Sequence, residues 1–476
     1  MGTNLDRSGE LALPQWDPEK PRRAQLEALL REAIRGGRLR PAARLPSSRV
    51  LATQLGVSRR LVVEAYEQLA AEGYLATRRG SGTTVSPHLQ LPAAGGPEES
   101  TAPPERPARI DLFPGAPELS LFPRRAWGRA LRRALETLPD ARLNYGGFAG
   151  EPELRAALAD HLGRVRAAVA APDRVLVTSG YQQGLRVFCQ LVRNRGGRRI
   201  AVEDPGFPLA SWTIESERLE TVPVAIDDDG VDVDSLVASK PDAVVVTPAH
   251  SLPLGAVLAP DRRRHLVAWA RERNVLVLED DYDAELRYDR GPAGALQGLA
   301  PDVVVLAGTV SKTLAPALRL GWLLLPGSLV GEAVALRAAA DGGGPRIEEL
   351  ALAELVAGGG FDRHLRAARN HYRAKRALLV GEVAARMPAV RVRGIAAGLH
   401  AVLMLPDGVE EEPVIATALE AGVLVHGLGT FTRAHRAPPG LVVGYGLPSE
   451  RQLREAIAII AAAIGPRAKQ RPAAPG

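Results

Sequence analysis

Lysine is scarce in this 476-residue chain, which holds 60 Lys and Arg yet only Lys20, Lys240, Lys312, Lys375 and Lys469 as lysines. Lys312 closes the string Thr309-Val-Ser-Lys312, just past an apolar run at 302–308. Arginine cannot replace lysine where an amine must lose its proton and attack a carbonyl, so Lys312 is the candidate Schiff-base residue. Three further groups suit such a centre. The run at 275–279 ends in Asp280-Asp281-Tyr282, where a carboxylate can pair with a protonated ring nitrogen and a phenol can hydrogen-bond a ring oxygen. Thr178-Ser-Gly-Tyr-Gln-Gln183 leads into a helix expected to begin near Tyr181, so free amides and the helix dipole face a phosphate-sized anion. Arg319, seven residues past Lys312, can give that anion a bidentate partner. Singly, these features read as a loop lysine, a strand end and a turn; their order on separate strands points to one site.

Such a site needs several strand ends brought together. Apolar Val, Leu and Ile runs at 175–179, 199–204, 242–248, 275–281 and 302–308 alternate with amphipathic stretches between Ile110 and about Pro466. Continuous apolar strands, each followed by turn residues and a helix, predict an α/β fold with a parallel sheet covered on both faces. Residues 88–109, rich in Pro, Gly, Ser and Glu and without apolar periodicity, read as a flexible linker. The basic tail 467–476 reads as disordered.

Composition narrows the class. With 46% hydrophobic and 24% charged residues the chain can build large cores, and its length suggests about three domains. No stretch is uncharged and apolar for the roughly 18 residues of a bilayer span. The single cysteine, Cys189, excludes intrachain disulfides and any multi-thiolate metal site, and we expect a cytoplasmic protein with no metal and no membrane partner. Residues 1–87 carry 14 Lys and Arg against 9 Asp and Glu, which places the basicity in a small N-terminal segment, as expected of a module that meets a polyanion.

That segment, 18–87, has a helical pattern. A first helix is predicted over 22–35, a second after Pro46 with Ser47 or Ser48 as its cap, and a third capped by Ser58 after the turn Gly56-Val-Ser58. Two helices joined by a short Gly-containing turn form a helix-turn-helix, whose second helix enters the major groove. Arg59 and Arg60 lie in the first turn of that helix, and arginine is the side chain best shaped for guanine edges. Two short strands about Gly80-Ser-Gly82 form a basic wing that carries Arg78 and Arg79 to phosphates or the minor groove.

Arg44-Leu-Pro-Ser-Ser-Arg-Val-Leu-Ala52, Leu55-Gly-Val-Ser-Arg59, Glu72-Gly-Tyr74 and Gly80-Ser-Gly82 together resemble the GntR-type winged helix-turn-helix. The resemblance implies DNA contacts from Arg44 and Arg49, beside Ser48 and Ser58. Residues 110–465 resemble the fold-type I aminotransferases. The shared strings include Asn144-Tyr-Gly-Gly-Phe-Ala-Gly150, Glu203-Asp-Pro-Gly-Phe207, Thr247-Pro-Ala-His-Ser-Leu-Pro-Leu-Gly255 and the Lys312 string. This resemblance implies a mainly parallel sheet with a smaller C-terminal α+β subdomain, within a domain spanning 110–466. It also implies pyridoxal 5′-phosphate bonded through Lys312, with Asp280 on the pyridine nitrogen, Tyr282 on the 3-oxygen and Phe207 stacked on the ring. The Tyr181 and Gln182 amides, Thr309 and Arg319 would hold the phosphate. The fusion resembles the MocR subfamily of GntR regulators, which implies a homodimer that binds double-stranded DNA and senses the cofactor, an amine or an amino acid.

Three departures bear on activity. Phe207 stands where the family usually has Tyr, and Ser251 where it has Gln. The arginine that grips a substrate carboxylate has no counterpart in Leu441-Val-Val-Gly-Tyr-Gly446, with Arg433 and Arg436 the nearest substitutes. Loss of that clamp removes substrate positioning and argues against efficient transamination. The expected function is therefore a transcriptional regulator, the alternative being a working aminotransferase with an appended DNA-binding module.

Overall fold

The computed structural model describes residues 16–78, 82–87, 108–288, 294–435 and 437–466. Residues 88–107 of the predicted linker 88–109, the tail, Arg79, Arg436 and the side chain of Arg78 lie outside the described residues. The chain divides into two compact units, Met1–Glu105 and Arg106–Gly476.

In the first unit α1 (Arg22–Arg35), α2 (Ser48–Leu55) and α3 (Arg59–Ala71) precede a hairpin of β1 (Leu75–Arg78) and β2 (Gly82–Val85). The caps are those the sequence suggests. Ser47 Oγ accepts from the Val50 amide and Ser58 Oγ from the Leu61 amide, both at 3.3 Å, while Gly56 turns the chain at φ +63°. Leu26, Leu30 and Ile34 of α1 pack with Val62, Tyr66 and Leu69 of α3 at helical spacing, and Leu75 and Val85 of the hairpin close that core.

The second unit begins with β3 (Ile110–Asp111), α4 (Arg124–Thr137), α5 (Pro152–Arg166), β4 (Val175–Thr178) and α6 (Tyr181–Asn194). It continues through β5 (Arg199–Asp204), α7 (Pro208–Ser216), β6 (Glu220–Asp227), β7 (Gly230–Val231), α8 (Val233–Ala238), β8 (Ala243–Val246), α9 (Pro260–Arg273) and β9 (Leu276–Asp281). Then come β10 (Val304–Thr309), β11 (Gly321–Leu324), α10 (Val330–Asp341), α11 (Arg346–Ala357) and α12 (Gly360–Arg386). The C-terminal part holds β12 (Arg391–Arg393), β13 (His400–Met404), α13 (Glu411–Glu420), β14 (Val423–Leu424), β15 (His426–Gly427), β16 (Gly440–Gly444) and α14 (Glu450–Ile464).

All five predicted apolar runs are strands of one eight-stranded sheet, in the order β4-β11-β10-β9-β8-β5-β6-β7. The pairs from β10 to β6 are parallel, and only β11 and the short β7 run against the rest. Strand β11 escaped the sequence reading: the segment 310–320 has no crossover helix, so the chain returns beside β10 antiparallel and separates it from β4. Alternation along β9 sends Leu276 and Leu278 to the face packed by α6 and α7, and Val275 and Val277 to the face packed by α9. A four-stranded antiparallel sheet, β12-β13-β16-β15, forms the smaller subdomain with α12, α13 and α14. Ile110 pairs with Val423, so the start of the second unit belongs to that subdomain.

Candidate functional site

The site lies at the carboxyl ends of the strands. Asp280 stands opposite Ala307, Thr309 opposite Gly321, and Gly321 opposite Thr178, so the ends of β9, β10 and β4 meet around the start of β11. Small residues make this approach close. A Cβ on Gly321 would fall 2.8 Å from the Gly308 carbonyl oxygen and 2.9 Å from the Gly180 Cα, which is sub-van-der-Waals contact with backbone. Gly180 itself has φ +78°, which glycine adopts without strain, and it delivers the chain into the N-terminus of α6. These three glycines carried no message in the sequence beyond turns.

Lys312 follows β10 and is half-buried. Its amine lies beside Gly115, where a Cβ would sit 3.2 Å from Nζ. Burial pushes the amine below its ordinary range, opposed by the carboxyls of Asp283 and Asp280. Asp280 projects to the α6 face of the sheet with Oδ1 buried and without a hydrogen-bond partner among the described residues. Burial pushes its carboxyl up to about 8. The Tyr181 hydroxyl, also buried and unpartnered among the described residues, faces that carboxyl, and burial followed by the Asp280 charge raises the phenol. The sequence suggested only the backbone amide of Tyr181.

The remaining predicted residues gather at the same place. Thr309 is buried, and its hydroxyl donates to the Leu320 carbonyl at 3.2 Å and lies 3.0 Å from Ser311 Oγ. Arg319, at φ +51°, donates from Nη2 to the Ser179 carbonyl at 3.0 Å, so the guanidinium sits over the turn into α6. Gln182 turns its side chain away and accepts from Thr213 Oγ1 at 2.7 Å, leaving its backbone amide in the first turn of α6. Phe207 precedes α7 and packs against the same core cluster as Tyr181. Its turn is pinned by Asp204, whose carboxylate accepts from the backbone amides of Arg433, Ala434 and His435, each at 2.8 Å. Arg433, one substitute for a carboxylate clamp, is paired with Glu215.

Sequence reasoning missed a second group of polar residues. His250 Nδ1 lies 2.9 Å from Asp283 Oδ2 and 3.2 Å from Tyr282 Oη, and its ring centroid is 5.0 Å from that of His400. His250 was legible only as a letter in a shared string; Asp283, next to Tyr282, was passed over for its two acidic neighbours. Beneath the sheet, Arg166 holds Asp281, and Glu279 accepts from the Leu296 and Gln297 amides at 2.9 Å each. These two carboxylates are structural, whereas the residue between them is left open.

A buried carboxyl with a free oxygen, a lysine amine depressed by burial and an open helix N-terminus under an arginine are what a cationic heteroaromatic ring with a phosphate arm requires. The donor set therefore fits pyridoxal 5′-phosphate.

In the first unit, Ser48 and Arg59 meet: Arg59 Nε donates to Ser48 Oγ at 3.4 Å. Arg44 bridges to Thr84 of the wing, and its guanidinium lies where a Cβ on Gly82 would reach it at 3.2 Å. Arg49 is exposed in the first turn of α2, and Ser58 is the cap described above. Arg60, expected at base edges with Arg59, is paired with Glu64 at 2.8 Å, so its charge is partly neutralised before any DNA is met. Among the described residues no group of three or more His, Cys, Asp or Glu could hold a metal, and no helix is long and apolar enough to cross a membrane.

Comparison with known proteins agrees with this division. Residues 22–85 match the family model described as bacterial regulatory proteins, gntR family, and residues 117–460 match aminotransferase class I and II. The chain is 36% identical over 442 residues to the HTH-type pyridoxine biosynthesis transcriptional regulator PdxR of Corynebacterium glutamicum, covering 92% of this chain and 95% of that one. It is 30% identical over 462 residues to the probable rhizopine catabolism regulatory protein MocR of Rhizobium meliloti, covering 93% of each. The fold is similar to that of the Pyrococcus horikoshii kynurenine aminotransferase, solved with PMP, at TM-score 0.68 and 25% identity over 75% of this chain and 90% of that one.

Proposed function

The chain belongs to the MocR subfamily of GntR-type transcriptional regulators, a winged helix joined to an aminotransferase class I and II domain, and on that premise we propose that it binds pyridoxal 5′-phosphate through Lys312 and answers to the cofactor or to an amine or amino acid. The observation that carries the reading is the buried Asp280 carboxyl, raised to about 8 and with Oδ1 unpartnered among the described residues, on the strand beside the one that leads to Lys312. The neighbouring Tyr181 hydroxyl leaves the carboxyl still raised, whereas a protonated pyridine nitrogen would compensate it fully.

When bound, pyridoxal 5′-phosphate supplies an aldehyde that condenses reversibly with amines and a ring that draws electrons from them. The protein's part is positioning and proton control. Asp280 would hold the ring nitrogen, Tyr282 the 3-oxygen and Phe207 the ring face, with the amides of Tyr181 and Gln182, Thr309 and Arg319 on the phosphate. Ser311, close to Thr309, joins that group. Partial burial keeps a larger share of the Lys312 amine neutral than in water and so nucleophilic.

In the regulator reading, the module at 18–87 binds DNA, 88–109 links it to the domain at 110–466, and a cytoplasmic homodimer presents two winged helices to two half-sites. An effector shifts this assembly only by binding its two states with different affinity. The test is the absorbance spectrum of the full chain with added pyridoxal 5′-phosphate, wild type against Lys312→Ala, with borohydride reduction, alongside DNA binding with and without the cofactor. A wild-type band trapped by borohydride and absent from the variant, with a cofactor-dependent change in DNA affinity, is expected. A trapped band with indifferent DNA binding and rapid keto-acid formation would favour the aminotransferase reading instead.

A further inference from the structure

We propose that His250, locked by Asp283, is a positioning residue that donates to the Tyr282 oxygen and thereby aims the Tyr282 hydroxyl hydrogen at the bound ring's 3-oxygen. This rests on the cofactor reading above. The hydrogen-bond inventory assigns the tautomer. His250 Nδ1 is 2.9 Å from the Asp283 carboxylate, an acceptor, while Nε2 is buried and has no partner among the described residues. A hydrogen on Nε2 would bury an unsatisfied donor; a hydrogen on Nδ1 leaves only a bare lone pair there and satisfies Asp283.

With Nδ1 as donor, the Tyr282 oxygen 3.2 Å away takes a share of the same hydrogen, and the phenol's own hydrogen, which Asp283 accepts while no ligand is bound, can turn to another acceptor. The groups around this unit leave no competing donor to His250. His400 stacks at 5.0 Å and spends its Nε2 hydrogen on the Pro253 carbonyl at 3.0 Å. Burial above all holds His400 far below its usual range, so it stays neutral. Asp280, Asp283 and Glu203 all bear on Tyr282 electrostatically, and Asp283 and Asp280 on Lys312. Glycine shapes the pocket: a Cβ on Gly398 would fall 2.4 Å from Asp283 Oδ2 and from the His250 ring, so the backbone there leaves the dyad its room.

A donor on the Tyr282 oxygen makes that phenol a stronger donor in turn, and a stronger donor on the 3-oxygen stabilises its anionic form. The visible band of the cofactor-loaded protein, which titrates with the proton shared between the Lys312 nitrogen and that oxygen, should therefore turn over at lower pH with His250 than without it.

The experiment uses the full chain loaded with pyridoxal 5′-phosphate. In His250→Leu the midpoint of the band's pH titration should rise by about one pH unit, the worth of one lost hydrogen bond. In His250→Asn, whose amide can restore a donor, it should return toward wild type. Separately, ¹⁵N NMR of the histidine-labelled protein without cofactor should find His250 protonated at Nδ1 and bare at Nε2. A His250→Leu midpoint equal to wild type, an Asn variant as displaced as Leu, or an Nε2-protonated ring would each overturn the assignment. If His250→Leu loses its circular dichroism, the Asn variant and the NMR tautomer decide. A wild type without any cofactor band overturns the cofactor reading and this one together, whereas a wild-type band with an unmoved Leu midpoint overturns this one alone.

Discussion

Arg166, fully buried, grips Asp281 with two hydrogen bonds, Nε to Oδ2 at 2.7 Å and Nη2 to Oδ1 at 3.1 Å, while Asp280 one residue earlier meets no such partner. Strand alternation puts the two carboxyls on opposite faces of β9, one against a guanidinium beneath the sheet and the other toward α6. Adjacent, identical side chains thus acquire opposite tasks.

Breaking the buried pair should be costly. Arg166→Met leaves Asp281 buried without its guanidinium, with Glu279 and Glu285 still nearby, and should destabilise the second unit by roughly 3–5 kcal/mol in urea unfolding. Adding Asp281→Asn should recover part of that loss. A single variant as stable as wild type would show that the pair is dispensable.

Asp280 should make stability fall with pH. Its carboxyl titrates near 3.8 when unfolded and about 8 when folded, so between those values the folded state keeps a proton that the unfolded state has lost. Stability contributed by this site is therefore greatest below pH 4 and declines as pH rises toward 8. Asp280→Asn removes the dependence: without cofactor, the variant's melting temperature should exceed wild type at pH 8 and converge with it toward pH 5. A constant difference across that range would contradict the assignment.

For DNA, Arg59→Ala should cost about 1–3 kcal/mol in specific binding and relax one operator position, since Arg59 leads the recognition helix. Ser48→Ala should reproduce a smaller part of that effect, because Ser48 Oγ accepts from Arg59 Nε. Arg60→Ala, already paired with Glu64, should mainly reduce the salt dependence of binding. Titrations of operator and scrambled duplexes at two salt concentrations separate the three.

Gly321→Ala tests how the phosphate end is built. The new methyl group would meet the Gly308 oxygen and the Gly180 backbone, forcing β11 from the turn that opens α6. An overpacking cost of about 1–3 kcal/mol is expected, with weaker retention of pyridoxal 5′-phosphate on dialysis because Arg319 shifts from Ser179. Unchanged retention would mean that Arg319 is placed by other contacts.

Much of this was legible because it is local. The helix caps Ser47 and Ser58, the Gly56 turn and the five apolar runs depend on residues within a few positions of one another, and the scarcity of lysine singled out Lys312 before any strand was placed. The two family resemblances fall one within each compact unit, Met1–Glu105 and Arg106–Gly476.

What the tertiary structure alone decided is pairing across distance. Nothing near Arg60 in the sequence reading warned that Glu64 would engage it, although the four-residue spacing on a helix is a usable signal. The meeting of His250 with Asp283, 33 residues apart, and of Arg166 with Asp281, 115 apart, follows from which strand ends lie side by side and which face each side chain takes. Sequence pattern determines that a residue is on a strand and chemically able; burial and partners, which separate an open Asp280 from a bound Asp281, exist only once the sheet is assembled and water is excluded.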